Sequence, residues 1–264
     1  MTRSFLTRML GAAAALMMAL SVFTGCHVVY TGWRTVRLSG DVQETTVYGS
    51  GASDGWTVEI EKLSFSDSEN AVIRLVPSDS VRIEAKYSGD FADYGFEITA
   101  KNGKIRIGTN HNYNYIADVF EITVYADFDH VELSGGCSLE IDASGVEELR
   151  LDISGACDCL VENAAAKRLE IELSGAANID ISGTAQTFVV DLSGAADVAA
   201  KSLVAADADI RVSGAGSVIL SVTDTLKTKI SGVGSVCYYG SPVVTSNVSG
   251  LGEVKQRSEE IYME

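Results

Sequence analysis

The 264-residue chain carries 36 acidic and 20 basic side chains, for a formal net charge of −16. With no clustered Lys/Arg face, that balance excludes nucleic acid and anionic lipid headgroups as primary partners. Two prolines against 25 glycines suit a chain of many corners. The three histidines, His27, His111 and His130, stand at no metal-ligand spacing from one another or from cysteine, so no metal or cofactor is expected.

Residues 1–25 have the pattern of an export signal: Arg3 and Arg8, then the apolar run Met9 to Val22, then Thr24-Gly25. The run is too short for a comfortable transmembrane helix. Val22-Phe23-Thr24-Gly25-Cys26 resembles the bacterial lipobox, which implies acylation of Cys26 and a lipid-anchored, extracytoplasmic protein of the cell envelope. Loss of residues 1–25 removes two arginines and no acid, leaving a net charge of −18. Residues 26–45 form a tether and a first strand, Thr35 to Leu38.

From 46 to 130 the sequence predicts an irregular β region. Strand patterns occupy Trp56–Glu61, Ala71–Val76, Val81–Ala85, Phe96–Ala100, Lys104–Ile107 and Phe120–Tyr125. Asn102-Gly103 is a hairpin signal. The region is expected to cap one end of the repeats that succeed it in the chain. Gly51-Ala52-Ser53-Asp54-Gly55 matches the Gly-x-Ser-x-Gly elbow of hydrolases, but a strand follows where a helix is required, so it is a turn.

Residues 131–256 repeat one phrase seven times, an apolar residue followed by Ser-Gly, with serines at 134, 154, 174, 193, 213, 231 and 249. The intervals are 20, 20, 19, 20, 18 and 18 residues, a period that marks stacked supersecondary units. With serine as position 0, positions −3 and −1 are mostly aliphatic, −2 is polar, and +5 is a second apolar column from Leu139 to Val254. This alternation gives strand, glycine corner, strand. Such a unit cannot bury its apolar face alone, so copies must stack in parallel about 4.8 Å apart. The fold class is therefore all-β, a right-handed parallel β-helix (β-solenoid) of about seven coils. Seven coils make a rod on the order of 30 Å long. The far end is left to the polar tail 257–264 or to a partner.

The runs LSGAANIDISG, DLSGAADV and VSGAGSV, with ISGVGSVCYYGSP closing on VSGLGEVKQ, resemble the bacterial "head GIN domain" family, also called auto-transporter adhesins. The resemblance covers roughly residues 40 to 256. It implies an envelope-associated β-solenoid and brings no catalytic residues with it.

Four features are candidates for chemistry. His111-Asn112-Tyr113-Asn114-Tyr115 has the Asn/Tyr mixture that binding loops favour; an ordinary connecting loop is the plainer reading. The −2 column, Glu132-Asp152-Glu172-Asp191, stacks carboxylates that need cations to offset them. Calcium would suit, but the switch to Arg211 and Lys229 favours a mixed solvated face. The serine column has no histidine in phase, so it suggests corner hydrogen bonds and no nucleophile. Cys137 and Cys157 share position +3, which puts their Cα atoms within disulfide range. The same position holds Ala177, Ala196 and glycines elsewhere, as a small buried slot would.

Two functions fit. One is a non-catalytic surface module of adhesin or structural type, taking a glycan or protein ligand and held to the membrane by the anchor. The other is a β-helix carbohydrate-active enzyme, which would require a cleft that short uniform corners do not supply. The first is favoured.

Overall fold

Alternating apolar residues, with glycine breaking every run, leave this chain strands and corners to form. The computed structural model describes residues 34–38, 40–51, 55–66 and 71–258. The export signal, Cys26, most of the tether, Ser53 and the last six residues of the tail lie outside the described residues. The described residues all belong to one compact unit.

The first strands are β1 (Thr35–Arg37), β2 (Val42–Tyr48), β3 (Trp56–Glu61), β4 (Ser64–Phe65), β5 (Ala71–Pro77) and β6 (Arg82–Ser88). A 3₁₀ turn, Gly89–Tyr94, leads to β7 (Glu97–Lys101), β8 (Lys104–Gly108), β9 (Asn114–Ile116) and β10 (Phe120–Ala126). The repeats contain β11 (Phe128–Leu133), β12 (Gly136–Asp142), β13 (Glu148–Ile153), β14 (Ala156–Leu173), β15 (Ala176–Leu192) and β16 (Ala195–Val212). They end with β17 (Ala215–Ile230), β18 (Val233–Tyr239), β19 (Val243–Val248) and β20 (Leu251–Gln256).

The repeats build the expected parallel β-solenoid. Each coil stacks on the last with corresponding residues paired: Leu133 with Ile153, Leu173 with Leu192, Val212 with Ile230. The ladder runs unbroken through the corners, where Ser154 N–H donates to Leu133 O at 2.9 Å and Ala156 N–H to Gly135 O at 2.8 Å. The seven Ser-Gly corners correspond to about six turns, slightly fewer than the count of phrases gives.

Of the two uses open to the corner glycines, the structure takes close approach. At Gly155, Gly175, Gly194 and Gly214 an added Cβ would fall against the carbonyl oxygen of the glycine one coil below, while none of these has a positive φ. The main chains touch there, and no side chain fits between them.

The interior has more columns than the sequence pattern named. Beside −3, −1 and +5, position −5 is buried (Leu149, Leu169, Phe188, Ala208, Leu226), as are +3 through Ala196 and +7 through Leu220. A short third segment, Ala164–Ala166 over Gly183–Ala185, closes each turn. Burying a Leu, Ile or Val side chain stabilises by roughly 1.5–3 kcal/mol, so every coil depends on its two neighbours.

The N-terminal region caps the repeats as expected, and part of it does so by extending the solenoid. Its strands continue the solenoid by two more coils, laid down out of chain order. β3 lies between β8 and β11, β5 between β10 and β12, and β4 between β9 and β12. Residues 56–77 thus form the coil beside the repeats, and residues 104–126, later in the chain, form the coil outside it. Beyond that coil the ladder changes sense. β6 is antiparallel on β10, β2 on β6 and β7 on β8, while β1 adds in parallel to β9. The β7–β8 hairpin turns at Asn102-Gly103, both at positive φ (54° and 75°), as the dipeptide predicts. The 3₁₀ turn inserts the fully buried Phe91 into the end of the core, stacked on Phe96 at 4.6 Å and edge-on to Tyr115 at 4.8 Å.

The C-terminal end has no such closure among the described residues. All six residues of β19 are exposed, and the inner-column Val244 and Val248 are 37% and 41% accessible.

Candidate interaction surface

The carboxylates at −2 and the serines at 0 sit two residues apart on each strand end, and stacking turns both into parallel columns. Together they line one groove of about 530 Å³ running along the Ser-Gly corner. Its walls are Glu132, Asp152, Glu172 and Asp191 with Ser134, Ser154, Ser174 and Ser193, and Ile60 and Glu61 close its N-terminal end.

Four of the corner serine hydroxyls are committed to the backbone. Those of Ser134, Ser154, Ser193 and Ser213 donate to Ile60 O, Leu133 O, Leu173 O and Leu192 O at 3.2–3.4 Å, each the −1 carbonyl of the coil below. A hydroxyl whose proton is held this way offers lone pairs outward. Among the described residues these four hydroxyls donate to carbonyl oxygens and not to a general base.

The acidic column is offset from within the protein. Arg150 reaches Asp152 at 3.1 Å, Glu172 at 2.9 Å and Glu170 at 3.6 Å. Its guanidinium pKa is raised, first by the Asp152 hydrogen bond and against some desolvation. His130 Nε2 lies 2.9 Å from Asp152 Oδ2 and 3.8 Å from Glu132. Glu59, only 7% exposed, is bonded by Lys104 and by Arg106 at 3.2 Å. Among the described residues no group of three or more His, Cys, Asp or Glu is arranged to hold a metal ion. The groove is therefore lined by hydrogen-bond acceptors, part of whose charge is offset by Arg150 and His130.

The other sequence-derived sites fare differently. Of the proposed binding loop, Tyr115 is fully buried with its hydroxyl 3.4 Å from Thr109 Oγ1, and Asn114 lies in β9 and bonds Ser66 Oγ at 2.6 Å. Tyr113 packs edge-on to Tyr94 at 6.1 Å. Only His111, stacked on Tyr113 at 5.2 Å, and Asn112 remain outward, so most of this segment serves packing.

Cys137 and Cys157 are directly paired in register, but both are buried free thiols. In-register parallel neighbours hold their side chains side by side at about the 4.8 Å strand spacing. A disulfide needs Cβ atoms about 3.8 Å apart. Burial raises the Cys137 thiol well above its ordinary pKa, and a hydrogen bond to Cys157 and burial do the same for Cys159.

The N-terminal wall of the groove, Ile60-Glu61, was not anticipated. The signal was present: Val58-Glu59-Ile60 repeats the apolar–acidic–apolar phrase of positions −3 to −1 and pairs with Val131-Glu132-Leu133. Ser-Gly is missing there, and Lys62 at φ 56° carries the corner instead.

These features define a stacked parallel β-solenoid repeat protein with a polar groove along one corner. The chain belongs to the family described as "Putative auto-transporter adhesin, head GIN domain", whose model matches residues 95–242, more than half of its length. Among curated proteins none matches it. Solved structures share the fold. A "putative adhesin" from Bacteroides fragilis is 14% identical with a TM-score of 0.70, covering 84% of this chain and all of that one. A "putative adhesin" from Parabacteroides distasonis is 17% identical (TM-score 0.59, 84% and 100% covered). A "putative lipid binding protein" from the same species is 15% identical (TM-score 0.61, 85% and 100% covered).

Proposed function

We propose that this protein is a lipid-anchored, extracytoplasmic module of the bacterial cell envelope that binds surface ligands without catalysis. The acceptor-lined groove along the Ser-Gly corner is its binding face. The observation that carries this reading is the commitment of the corner serines to backbone carbonyls beside a carboxylate column, which gives a recognition surface and no nucleophile. Family membership and the adhesin descriptions of the structural neighbours support it. The anchor rests on the lipobox-like sequence ending at Cys26. Donor-rich glycans fit the groove because each sugar hydroxyl supplies a proton to a carboxylate or serine oxygen.

The test is a binding screen of the purified protein against glycans, peptidoglycan fragments and matrix proteins, repeated with Glu132→Gln/Asp191→Asn. The expected result is glycan binding by the wild type, weakened at least tenfold in the variant. Equal binding by both, or polysaccharide cleavage that a single Ser, Asp or Glu substitution abolishes without unfolding, overturns the reading. Release from the membrane on Cys26→Ser tests the anchor separately.

A further inference from the structure

Among the described residues, the outer edge of the solenoid's last strand is unpaired. Leu251 N–H donates to Gly232 O at 3.0 Å and Arg257 N–H to Tyr238 O at 2.8 Å, so the odd-numbered residues of β20 are spent on β18. In a parallel ladder both main-chain groups of a residue point to the same neighbour. Gly252, Val254 and Gln256 therefore direct their N–H and C=O groups away from the solenoid. Natural edges are blunted by proline, charged side chains, bulges, inward charges or a covering element. β20 has no proline and no inward charge, its outward charges Glu253 and Lys255 are of opposite sign, and among the described residues nothing covers it.

Its charges form a self-complementary pattern. Glu253 and Lys255 flank Val254, and all three are in place for antiparallel pairing of the strand with a second copy of itself. Centred on Val254, that pairing makes Val254 a hydrogen-bonded pair with its own counterpart, using the free N–H and C=O groups just identified. Glu253 then stands opposite the second copy's Lys255, and Lys255 opposite its Glu253. Both pairs fall at non-hydrogen-bonded positions, where facing side chains come closest. Any other even-numbered centre loses this match: centring on Gly252 or Gln256 sets Glu253 against Leu251 or Lys255 against Arg257. The outward Leu251 and Val233, 79% and 57% exposed, flank the same edge and would be partly covered.

We infer that the C-terminal end of the solenoid is a self-association surface, where two copies pair β20 antiparallel about a two-fold axis through Val254. The contact is isologous and therefore closed, stopping at a dimer without growing into a filament. It goes beyond the proposed ligand groove, which lies on the Ser-Gly corner and stays open in the dimer.

The test is sedimentation velocity of the full chain in mild non-ionic detergent across a concentration series. The wild type should sediment as a dimer. Glu253→Lys and Lys255→Glu each place like charges face to face and should weaken association roughly tenfold or more. The double variant E253K/K255E should restore it, as should an equimolar mixture of the two single variants. Val254→Pro, tolerable at an edge, removes an outward N–H and should also give monomer, with far-UV circular dichroism confirming the fold. A wild type that stays monomeric throughout overturns the inference. So does a dimer indifferent to the charge reversals and to V254P.

Discussion

The two ends of the solenoid solve the same problem differently. At the N-terminal end the parallel ladder stops against antiparallel strands, and Phe91 fills the core with aromatic contacts to Phe65, Tyr115, Phe96 and Phe120. At the C-terminal end the ladder stops among the described residues, and Val244 and Val248 of the inner columns are 37% and 41% exposed. Each interior coil is held by two neighbours and the last by one, so local stability should fall toward β19 and β20.

The largest test of that difference uses identical substitutions at two corners. Gly175→Ala and Gly250→Ala create the same clash, a Cβ against the glycine carbonyl of the coil below. At Gly175 the coils beyond the corner cannot separate without opening the core. The expected loss exceeds about 4 kcal/mol, among the most severe for single substitutions. At Gly250 only β20 must lift away, so the thermal midpoint should barely move while dimer formation fails. Equal destabilisation by both would mean that the last coil is as firmly held as the interior.

Next in size is the plug. Phe91→Ala should cost about 3–5 kcal/mol, because the cavity opens among aromatic rings that backbone strands hold apart. Val244→Ala, at the equivalent depth of the open end but 37% exposed, should cost under about 1 kcal/mol by the same mechanism. Chemical denaturation of the two variants decides it. A Phe91→Ala loss as small as that of Val244→Ala would show that the N-terminal end is not closed by this ring.

These contrasts also mark what the sequence could tell. The repeats were legible because each corner needs the same two residues and each wall the same alternation; counting serines was enough to set the register that pairs Cys137 with Cys157. The N-terminal coils were not, although Val58-Glu59-Ile60 and Ile105-Arg106-Ile107 carry the same wall phrase. Their corners use Lys62 and Gly108 in place of Ser-Gly, and their order in space reverses their order in the chain. No periodicity reports a permuted stacking order, which is fixed by which edges are left free as the chain returns. The groove divided in the same way: its carboxylate and serine columns were visible one by one. Their convergence depended on the corner bringing positions −2 and 0 to one wall. Arg150 was visible as a residue two positions before Asp152, but not as the cation that reaches carboxylates on two coils.

Thiol labelling offers a finer measure of the gradient. Cys137, Cys157 and Cys159 lie in the first two repeat coils, and Cys237 in the sixth, one coil from the open end; all four are buried and free. In a Cys26→Ser background under native conditions, Cys237 should be modified first, at a rate set by fraying of the last coils. The other three should wait for global unfolding and share one rate. Mass spectrometry after a timed pulse separates the peptides. Simultaneous labelling of all four would remove the gradient.

The smallest effect is electrostatic, and it checks that the ends differ by packing and not by charge. Asp142 closes β12 at the second corner, well inside the solenoid. Burial tends to raise its pKa, but hydrogen bonds from Asn163 Nδ2 at 3.2 Å and Ser144 N–H at 3.1 Å outweigh that and leave it lowered. A carboxyl whose folded pKa lies below its unfolded value stabilises the fold above the unfolded pKa of about 3.9. That contribution disappears as pH falls through the folded value. Asn163 has φ 58°, so Asn163→Gly removes the amide donor while keeping a residue that accepts the left-handed backbone. The Asp142 pKa, followed by NMR, should rise toward its ordinary value. The stability lost in the variant should be present near neutral pH and vanish as pH falls through the lowered folded pKa of Asp142. Because Asp142 is largely solvated, the difference should be a small fraction of the Phe91→Ala loss. If acid instead detaches the C-terminal coil first, with Cys237 labelled faster at low pH in folded protein, charge contributes to holding the open end.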